Sequence, residues 1–413
     1  MIIKRDYYLQ QLISSKSNNL IKIVTGIRRS GKSFLLFNLF HNHLIETGIS
    51  EDHIIEIALD DRLNKNLRDP DVILRHIHER IVDDKLYYII LDEVQMIDEF
   101  TDVLNSLLHI RNADVYVTGS NSKFLSKDVV TEFRGRGDEI HLFPLSFAEL
   151  YNSVGGDKFE LWKSYYTYGG LPGILELDSD KKKAAYLRSL HETVYLKDII
   201  ERNNLKNSEE FMELMRVMAS CIGSPCNPSK LENTFKSVKN ETLDRKTISK
   251  YLSYMEDAFL IEKSMRYDIK GRKYIGTLSK YYFQDIGLRN ALLNFRQVEE
   301  NHIMENVIYN ELRLRGFCVD VGMVEARTAK ERKQLEVDFV ANMADRRYYI
   351  QSAFAMPDDD KREQECASLK KIDDSFKKII IMRDDIKPYH DNNGFYIVGL
   401  MDFLLKPDLI EQL

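Results

Sequence analysis

No apolar run in this 413-residue chain reaches the length of a membrane span, and Met1-Ile2-Ile3-Lys4-Arg5-Asp6 lacks the apolar core of a signal peptide. A membrane partner is therefore not expected. Cysteine is scarce, with Cys221, Cys226, Cys318 and Cys366 scattered along the sequence. Only Cys221 and Cys226 lie close together, and no second Cys or His pair stands nearby to complete a zinc site. Reduced thiols in the cytoplasm are the expectation. A global excess of positive charge is missing too. With 59 Lys and Arg against 65 Asp and Glu, the formal net charge is −6. No overall basic field draws the chain to nucleic acid, so any DNA contact must come from local patches. Neither an internal repeat nor a low-complexity linker is present, and domain boundaries must be read from changes of pattern. What remains, 44% hydrophobic and 30% charged, is an ordinary soluble balance in a chain too long for one core. Two or three domains are expected.

The residues Gly26-Ile27-Arg28-Arg29-Ser30-Gly31-Lys32-Ser33 spell G-x-x-x-x-G-K-S. They follow a short apolar stretch, Leu20 to Val24, and precede Phe34-Leu35-Leu36-Phe37, so they sit where a strand turns into a helix. That context is the one a phosphate-binding P-loop needs. The glycines let successive backbone N–H groups point inward at a polyphosphate, and the helix N-terminus adds its positive end. Lys32 is expected to reach the β- and γ-phosphates of a nucleoside triphosphate, and the Ser33 hydroxyl to ligate Mg²⁺.

A second motif is the continuous apolar run Tyr87-Tyr88-Ile89-Ile90-Leu91, ending in Asp92-Glu93. Such a run is how a buried parallel strand delivers a carboxylate to its C-terminal edge. Asp92 is expected in the Mg²⁺ shell, usually through water, and Glu93 to orient an attacking water. Hydrolysis is favoured over transfer to a small substrate. Ile54 to Leu59 reads as a strand inserted between the two motifs, and Asp114 to Asn121 as one that follows them. This order marks the additional-strand class of P-loop ATPases, in which Ser120 or Asn121 is placed to sense the γ-phosphate. Beyond it, Glu132-Phe133-Arg134-Gly135-Arg136-Gly137 offers Arg134 and Arg136 as candidates for an arginine finger, in cis or from a neighbouring subunit. The alternative for either arginine is a solvated basic loop.

These motifs are joined by Leu91-Asp92-Glu93-Val94-Gln95, Thr118-Gly119-Ser120-Asn121-Ser122, Phe143-Pro144-Leu145-Ser146-Phe147 and Tyr168-Gly169-Gly170-Leu171-Pro172, in that order. Together they resemble the prokaryotic AAA-superfamily ATPases that carry a C-terminal domain of uncharacterised function, over nearly the whole chain. The resemblance implies ATP rather than GTP, an ATPase core, a helical and winged-helix middle, and a C-terminal module similar to restriction-endonuclease-like folds. The fold expected is α/β and multidomain: a parallel-sheet P-loop ATPase domain at 1–150, a helical lid at 151–207, a winged helix at 208–297, and a PD-(D/E)xK-like domain at 298–413.

Residue patterns give these boundaries some content. Tyr186 to Arg202 has apolar residues at helical spacing, suited to a lid, and its lone His191 reads as packed or solvated rather than catalytic. From Ser208 to about Phe283 the pattern is three helices and a β-hairpin, with Asn227 an N-cap before Pro228. The third helix, from Asp244, carries Arg245, Lys246, Lys250 and Tyr251, residue types suited to phosphate contact. Arg266, Lys270, Arg272 and Lys273 mark the expected wing. In the last domain, Leu335 to Val340 and Arg347 to Ala353 read as two strands. Asp338 and Glu305 fit the metal-binding acids of a nuclease, but Gln351 stands where the second acid belongs and Ala353 where the lysine belongs. An amide is a weak ligand and alanine moves no proton, so a nuclease-like domain without nuclease activity is expected. Two functional readings follow. One is an ATP- and Mg²⁺-dependent hydrolase associated with DNA. The other is a nucleotide-gated switch with slow hydrolysis, whose partner is a protein or a second copy of the chain.

Overall fold

Five apolar runs in the first third of the chain become five parallel strands: β1 (Ile21–Thr25), β2 (Ile54–Ala58), β3 (Tyr87–Asp92), β4 (Ala113–Thr118) and β5 (Gly137–His141). This computed structural model describes residues 3–119, 135–239, 243–327 and 332–412, so Ser120, Asn121 and Arg134 lie outside the described residues. The strand order is β2-β3-β4-β1-β5, with every pairing parallel. β4 thus separates the P-loop strand β1 from the acidic strand β3, as the additional-strand reading expects. Alternate residues feed two cores. Ile23, Ile57, Ile89 and Val117 face one side of the sheet, whereas Val24, Tyr88, Ile90 and Tyr116 face the other with Leu35, Leu36 and Phe40. Burial on both faces explains why the strands read as unbroken apolar runs.

One buried ion pair breaks that rule. Lys22, fully buried on β1, bonds Asp114 on β4, and its ammonium also donates to the Leu20 carbonyl at 2.9 Å. Tyr116 completes the set by donating to Asp114 at 2.9 Å.

The chain divides into two compact units. The first comprises Met1–Pro144 with Asp257–Phe259, and the second Leu145–Glu256 with Leu260–Leu413. The second begins with a capping box, in which Ser146 and Glu149 satisfy one another's backbone N–H groups ahead of helix Phe147–Val154. The expected lid helices belong to this unit's own core. Trp162, on helix Lys158–Tyr168, packs with Phe147, Tyr282, Tyr309 and Phe339, and its indole donates to Glu300 at 2.7 Å. Helix Asp180–Leu190 packs against Ile286–Leu292. His191 is buried, and burial together with Arg216 pulls its pKa down to about 4, so it is neutral packing, as its lone position suggests.

Three helices, Ser208–Ser220, Pro228–Thr234 and Arg245–Asp257, precede the hairpin of β6 (Ile261–Asp268) and β7 (Lys273–Phe283). Asn227 caps the second helix through Lys230 N at 2.8 Å. The hairpin is not a free wing. β6 runs parallel to β8 (Cys318–Arg327), pairing Arg266 with Val321 and Asp268 with Met323. With β9 (Arg332–Met343), β10 (Arg346–Ala353), β11 (Lys377–Met382), β12 (Tyr389–His390) and β13 (Tyr396–Gly399) it makes one eight-stranded sheet, ordered β12-β13-β11-β10-β9-β8-β6-β7. The sheet runs straight across the boundary expected at residue 297.

The Tyr168-Gly169-Gly170-Leu171-Pro172 motif has a structural explanation inside this unit. Asp285 is buried and accepts from Gly170 N at 2.8 Å and from Leu288 N at 2.9 Å, so it caps helix Ile286–Leu292 while holding the glycine turn. A Cβ on Gly169, at φ +76°, would meet the Asp285 carboxylate at 2.5 Å. Glycine is required there by both the backbone angle and the close approach.

Candidate nucleotide site and carboxylate centre

The P-loop leaves the C-terminal end of β1 and turns through positive φ at Gly26, Arg29 and Gly31 before the helical segment that opens at Lys32. A Cβ on Gly26 would lie 2.2 Å from the Leu142 carbonyl, so the first glycine is fixed by the chain leaving β5. The loop is also braced from the N-terminal segment. Arg5 is buried and donates to the Ser30 carbonyl at 3.4 Å and the Phe143 carbonyl at 2.7 Å, with its guanidinium over the Tyr8 ring. Nothing in the sequence around Arg5 signals this role, since a lone arginine ahead of a helix looks like any surface cation.

Lys32 curls back into the loop and donates to the carbonyls of Gly26 at 2.9 Å and Ile27 at 3.1 Å. Burial lowers its pKa from 10.5 to about 8, against the pull of Glu93 and Asp92. Asp92 ends β3, and burial raises its pKa, opposed by hydrogen bonds from Thr118 and Ser33. Thr118, at the tip of β4, does double duty. Its hydroxyl donates to Asp92 and accepts from the Glu93 backbone N–H at 2.8 Å. The residues expected from the sequence as sensors, Ser120 and Asn121, follow two and three positions later and lie outside the described residues. Glu93 itself is left-handed at φ +54°, and the Gln95 amide donates to its carboxylate.

Lys32, Ser33, Asp92, Glu93 and Thr118 therefore converge on the C-terminal edge of the sheet, between β1, β3 and β4, where open parallel sheets take their ligands. The oxygens of Ser33 and Asp92, already in hydrogen-bond contact, are the hard donors that suit Mg²⁺. Arg28 and Arg29 flank this edge half-buried and exposed, respectively. Arg136 does not join them. It precedes β5, its carbonyl bonds Ile21 N at the start of β1, and its guanidinium reaches Asn105 at 3.4 Å. That is the opposite edge of the sheet, the length of β1 away from the P-loop. As a finger it has no reach to the phosphates of its own chain.

A family model described as an AAA domain matches residues 18–151, and one described as a domain of unknown function matches residues 159–299. An uncharacterized protein of Haemophilus influenzae is 33% identical over 414 residues, covering 98% of this chain and 99% of that protein. The chain belongs to that protein's family. An uncharacterized protein of Methanocaldococcus jannaschii is 28% identical over 407 residues, covering 93% of this chain and 86% of that protein. Among solved structures, Orc1 of Aeropyrum pernix in complex with DNA matches 71% of this chain and 92% of its own at 12% identity, with a TM-score of 0.30, too low to bear on function. The region matched by the AAA domain model coincides with the P-loop sheet and supports nucleotide binding there.

The charge state of Lys32 in this AAA domain makes a pH prediction. Below about pH 8 the lysine is charged with or without nucleotide; above it, the free protein has shed a proton that the phosphates would restore. Binding of ATP should then take up a proton and weaken as pH rises from about 8 towards the ordinary lysine value of 10.5. Titration calorimetry near pH 9 in buffers of different ionisation enthalpy (about twofold or more) would report the uptake directly. Observed heats that are the same in every buffer would count against it.

In the second unit the acids named from sequence do meet. Asp338 is buried on β9, and its Oδ2 accepts from Ser352 N at 2.8 Å. Glu305, on helix Glu300–Leu314, faces it across a cavity of about 680 Å³ also lined by His302, Gln351, Ser352 and Lys361. Gln351 is present with its Oε1 buried and without a hydrogen-bond partner, and Ala353 is buried on the same strand. The residue the sequence did not supply is Lys280 of β7. Its ammonium lies 2.8 Å from Glu305 Oε1, 2.8 Å from Glu336 Oε1 and 3.9 Å from Asp338 Oδ1. It had been hidden in the aromatic run of the hairpin, far in sequence from the acids.

Of the cations assigned to a DNA-facing surface, Lys246, Lys250, Lys270, Arg272 and Lys273 are exposed. Arg245 is exposed but tied to Glu232 of the preceding helix at 2.6 Å. Tyr251 must be withdrawn from that surface, since it is buried edge-on against Phe211 at 5.2 Å. Its place on the inner face of an amphipathic helix outweighs the chemistry of its hydroxyl.

Proposed function

We propose that the protein binds and hydrolyses ATP with Mg²⁺ and couples the nucleotide state to DNA. The convergence of Lys32, Ser33, Asp92, Glu93 and Thr118 on one sheet edge carries this reading. Lys32 would leave the carbonyls of Gly26 and Ile27 for the β- and γ-phosphates, while the loop N–H groups take the remaining oxygens. Ser33 and Asp92 would hold the metal, which when bound neutralises charge developing on the phosphates. Glu93 would accept the proton of the attacking water, held in position by the Thr118 bond to its backbone. Arg136, at the far edge of the sheet, would act only on nucleotide held by a neighbouring copy, which favours an oligomer. The exposed cations on helix Arg245–Asp257 and on the hairpin would meet phosphates of DNA.

A second reading, a nucleotide-gated switch with slow turnover, is favoured by one contact: the Gln95 amide occupies the Glu93 carboxylate that must take the proton. Steady-state ATP hydrolysis with Mg²⁺, with and without duplex and single-stranded DNA, separates the two. The hydrolase reading expects turnover that rises with DNA and falls about 100-fold or more in Glu93→Gln. Tight ATP binding with turnover indifferent to DNA would establish the switch instead.

A further inference from the structure

Four ionisable side chains of the second unit, Lys280, Glu305, Glu336 and Asp338, meet at one place. We infer that the ammonium of Lys280 is the resident cation of this centre, standing among Glu305, Glu336 and Asp338, and that the centre is closed to divalent metal for this reason.

One oxygen of each carboxylate is already committed. Glu305 Oε1 accepts from Lys280 at 2.8 Å and from the Tyr282 hydroxyl at 2.8 Å. Those two donors stand two apart on β7 and so share one face of the strand. Glu336 Oε1 pairs with the same ammonium at 2.8 Å. Asp338 Oδ2 is held by Ser352 N, which leaves Oδ1, 3.9 Å from the ammonium. An ammonium offers three donors in a compact point charge, and three carboxylates surround this one. A metal drawn to those same oxygens would sit at roughly 2.0–2.6 Å from them, a range incompatible with a buried lysine nitrogen at their centre. Among the described residues no three His, Cys, Asp or Glu side chains are arranged to hold a metal ion. Gln351 and Ala353, where the second acid and the lysine of a nuclease would stand, supply neither replacement charge nor a base.

The charge balance is consistent. Burial pulls the Lys280 pKa down, but Glu305, Asp338 and Glu336 outweigh it and hold the lysine charged. Burial, with Glu305 beside it, raises the Asp338 pKa. A buried cation so balanced is costly to remove, because the acids left behind repel one another with nothing between them.

The experiment compares nucleotide-free wild type, Asp338→Asn, Lys280→Met and Lys280→Met/Asp338→Asn at constant ionic strength. Thermal unfolding is followed with and without millimolar Mn²⁺, and bound Mn²⁺ is counted by electron paramagnetic resonance. Wild type should bind no Mn²⁺ that Asp338→Asn removes, and its Tm should not respond to the ion through this centre. Lys280→Met should lose about 6 °C or more in Tm. It should regain a large part of that on addition of Mn²⁺ and bind about one further ion, both effects vanishing when Asp338→Asn is added. Mn²⁺ bound by wild type and released by Asp338→Asn would overturn the inference, a readout that stands even if Lys280→Met fails to fold. A folded Lys280→Met protein indifferent to Mn²⁺ would overturn it too.

Discussion

Lys32→Ala should abolish the stabilisation of the protein by ATP while leaving the nucleotide-free protein nearly as stable as before. In the free protein the lysine spends its charge on two carbonyls of its own loop, and burial makes that charge costly enough to bring its pKa to about 8. Removing it therefore relieves a penalty while releasing two carbonyls of the P-loop, and the two effects oppose one another. With a triphosphate present the balance is lost, because the ammonium would turn from those carbonyls to the phosphates. Loss of a desolvated charge partner costs about 2–5 kcal/mol, or roughly 30-fold to several thousand-fold in Kd. Melting curves with and without Mg²⁺ and ATP test this. Wild type should rise in Tm with ATP and the variant should not. An ATP-dependent rise of equal size in both would remove Lys32 from the nucleotide site.

The largest effect on stability is expected at Asp285. Its buried carboxylate takes backbone N–H groups from Leu288, Gly170, Gly287 and Leu171, so one side chain caps a helix and fixes the glycine turn beside it. Asp285→Ala leaves these donors buried without an acceptor, at about 1–3 kcal/mol for each that water cannot reach. A total loss of about 4 kcal/mol or more is expected, read as a fall in the urea midpoint of unfolding. Asp285→Asn keeps one acceptor oxygen and should lose about half as much. Burial raises the folded pKa of Asp285 from 3.8 to about 6, so its contribution to stability is fullest below 3.8 and declines as pH rises through 6. The asparagine variant does not titrate there and should close part of its gap to wild type across that window. If the alanine variant unfolds at the wild-type midpoint, the cap is not what holds this turn.

The nucleotide site was legible because its chemistry is local. A P-loop, and a strand ending in two acids, each lie within eight consecutive residues, and the strand-helix context can be read from the apolar runs beside them. The parallel sheet followed for the same reason, since strands buried on both faces show as unbroken apolar runs. What escaped were residues whose partners are distant in sequence. Lys22 lies in an apolar strand and is explained only by Asp114, three strands on in chain order but adjacent in the sheet. Thr118 reads as any strand residue until β4 is seen between β1 and β3. Lys280 was unreadable because its acids come from a helix and a strand 25 to 58 residues further along. The hairpin was recognised, but periodicity says nothing about which edge a strand will pair with, and so its membership of the larger sheet was missed.

That membership limits how such a chain can be reshuffled in evolution. The hairpin shares strand pairing with β8, stacks Tyr282 on Tyr309 at 4.0 Å, and delivers Lys280 to acids that all lie after residue 297. A gene fusion that kept the three helices and hairpin but exchanged everything beyond that point would leave a strand edge bare and a buried ammonium with no counter-charge. The hairpin and the acids are in this sense a single heritable unit, and a recombination joint can fall between them only at the expense of both.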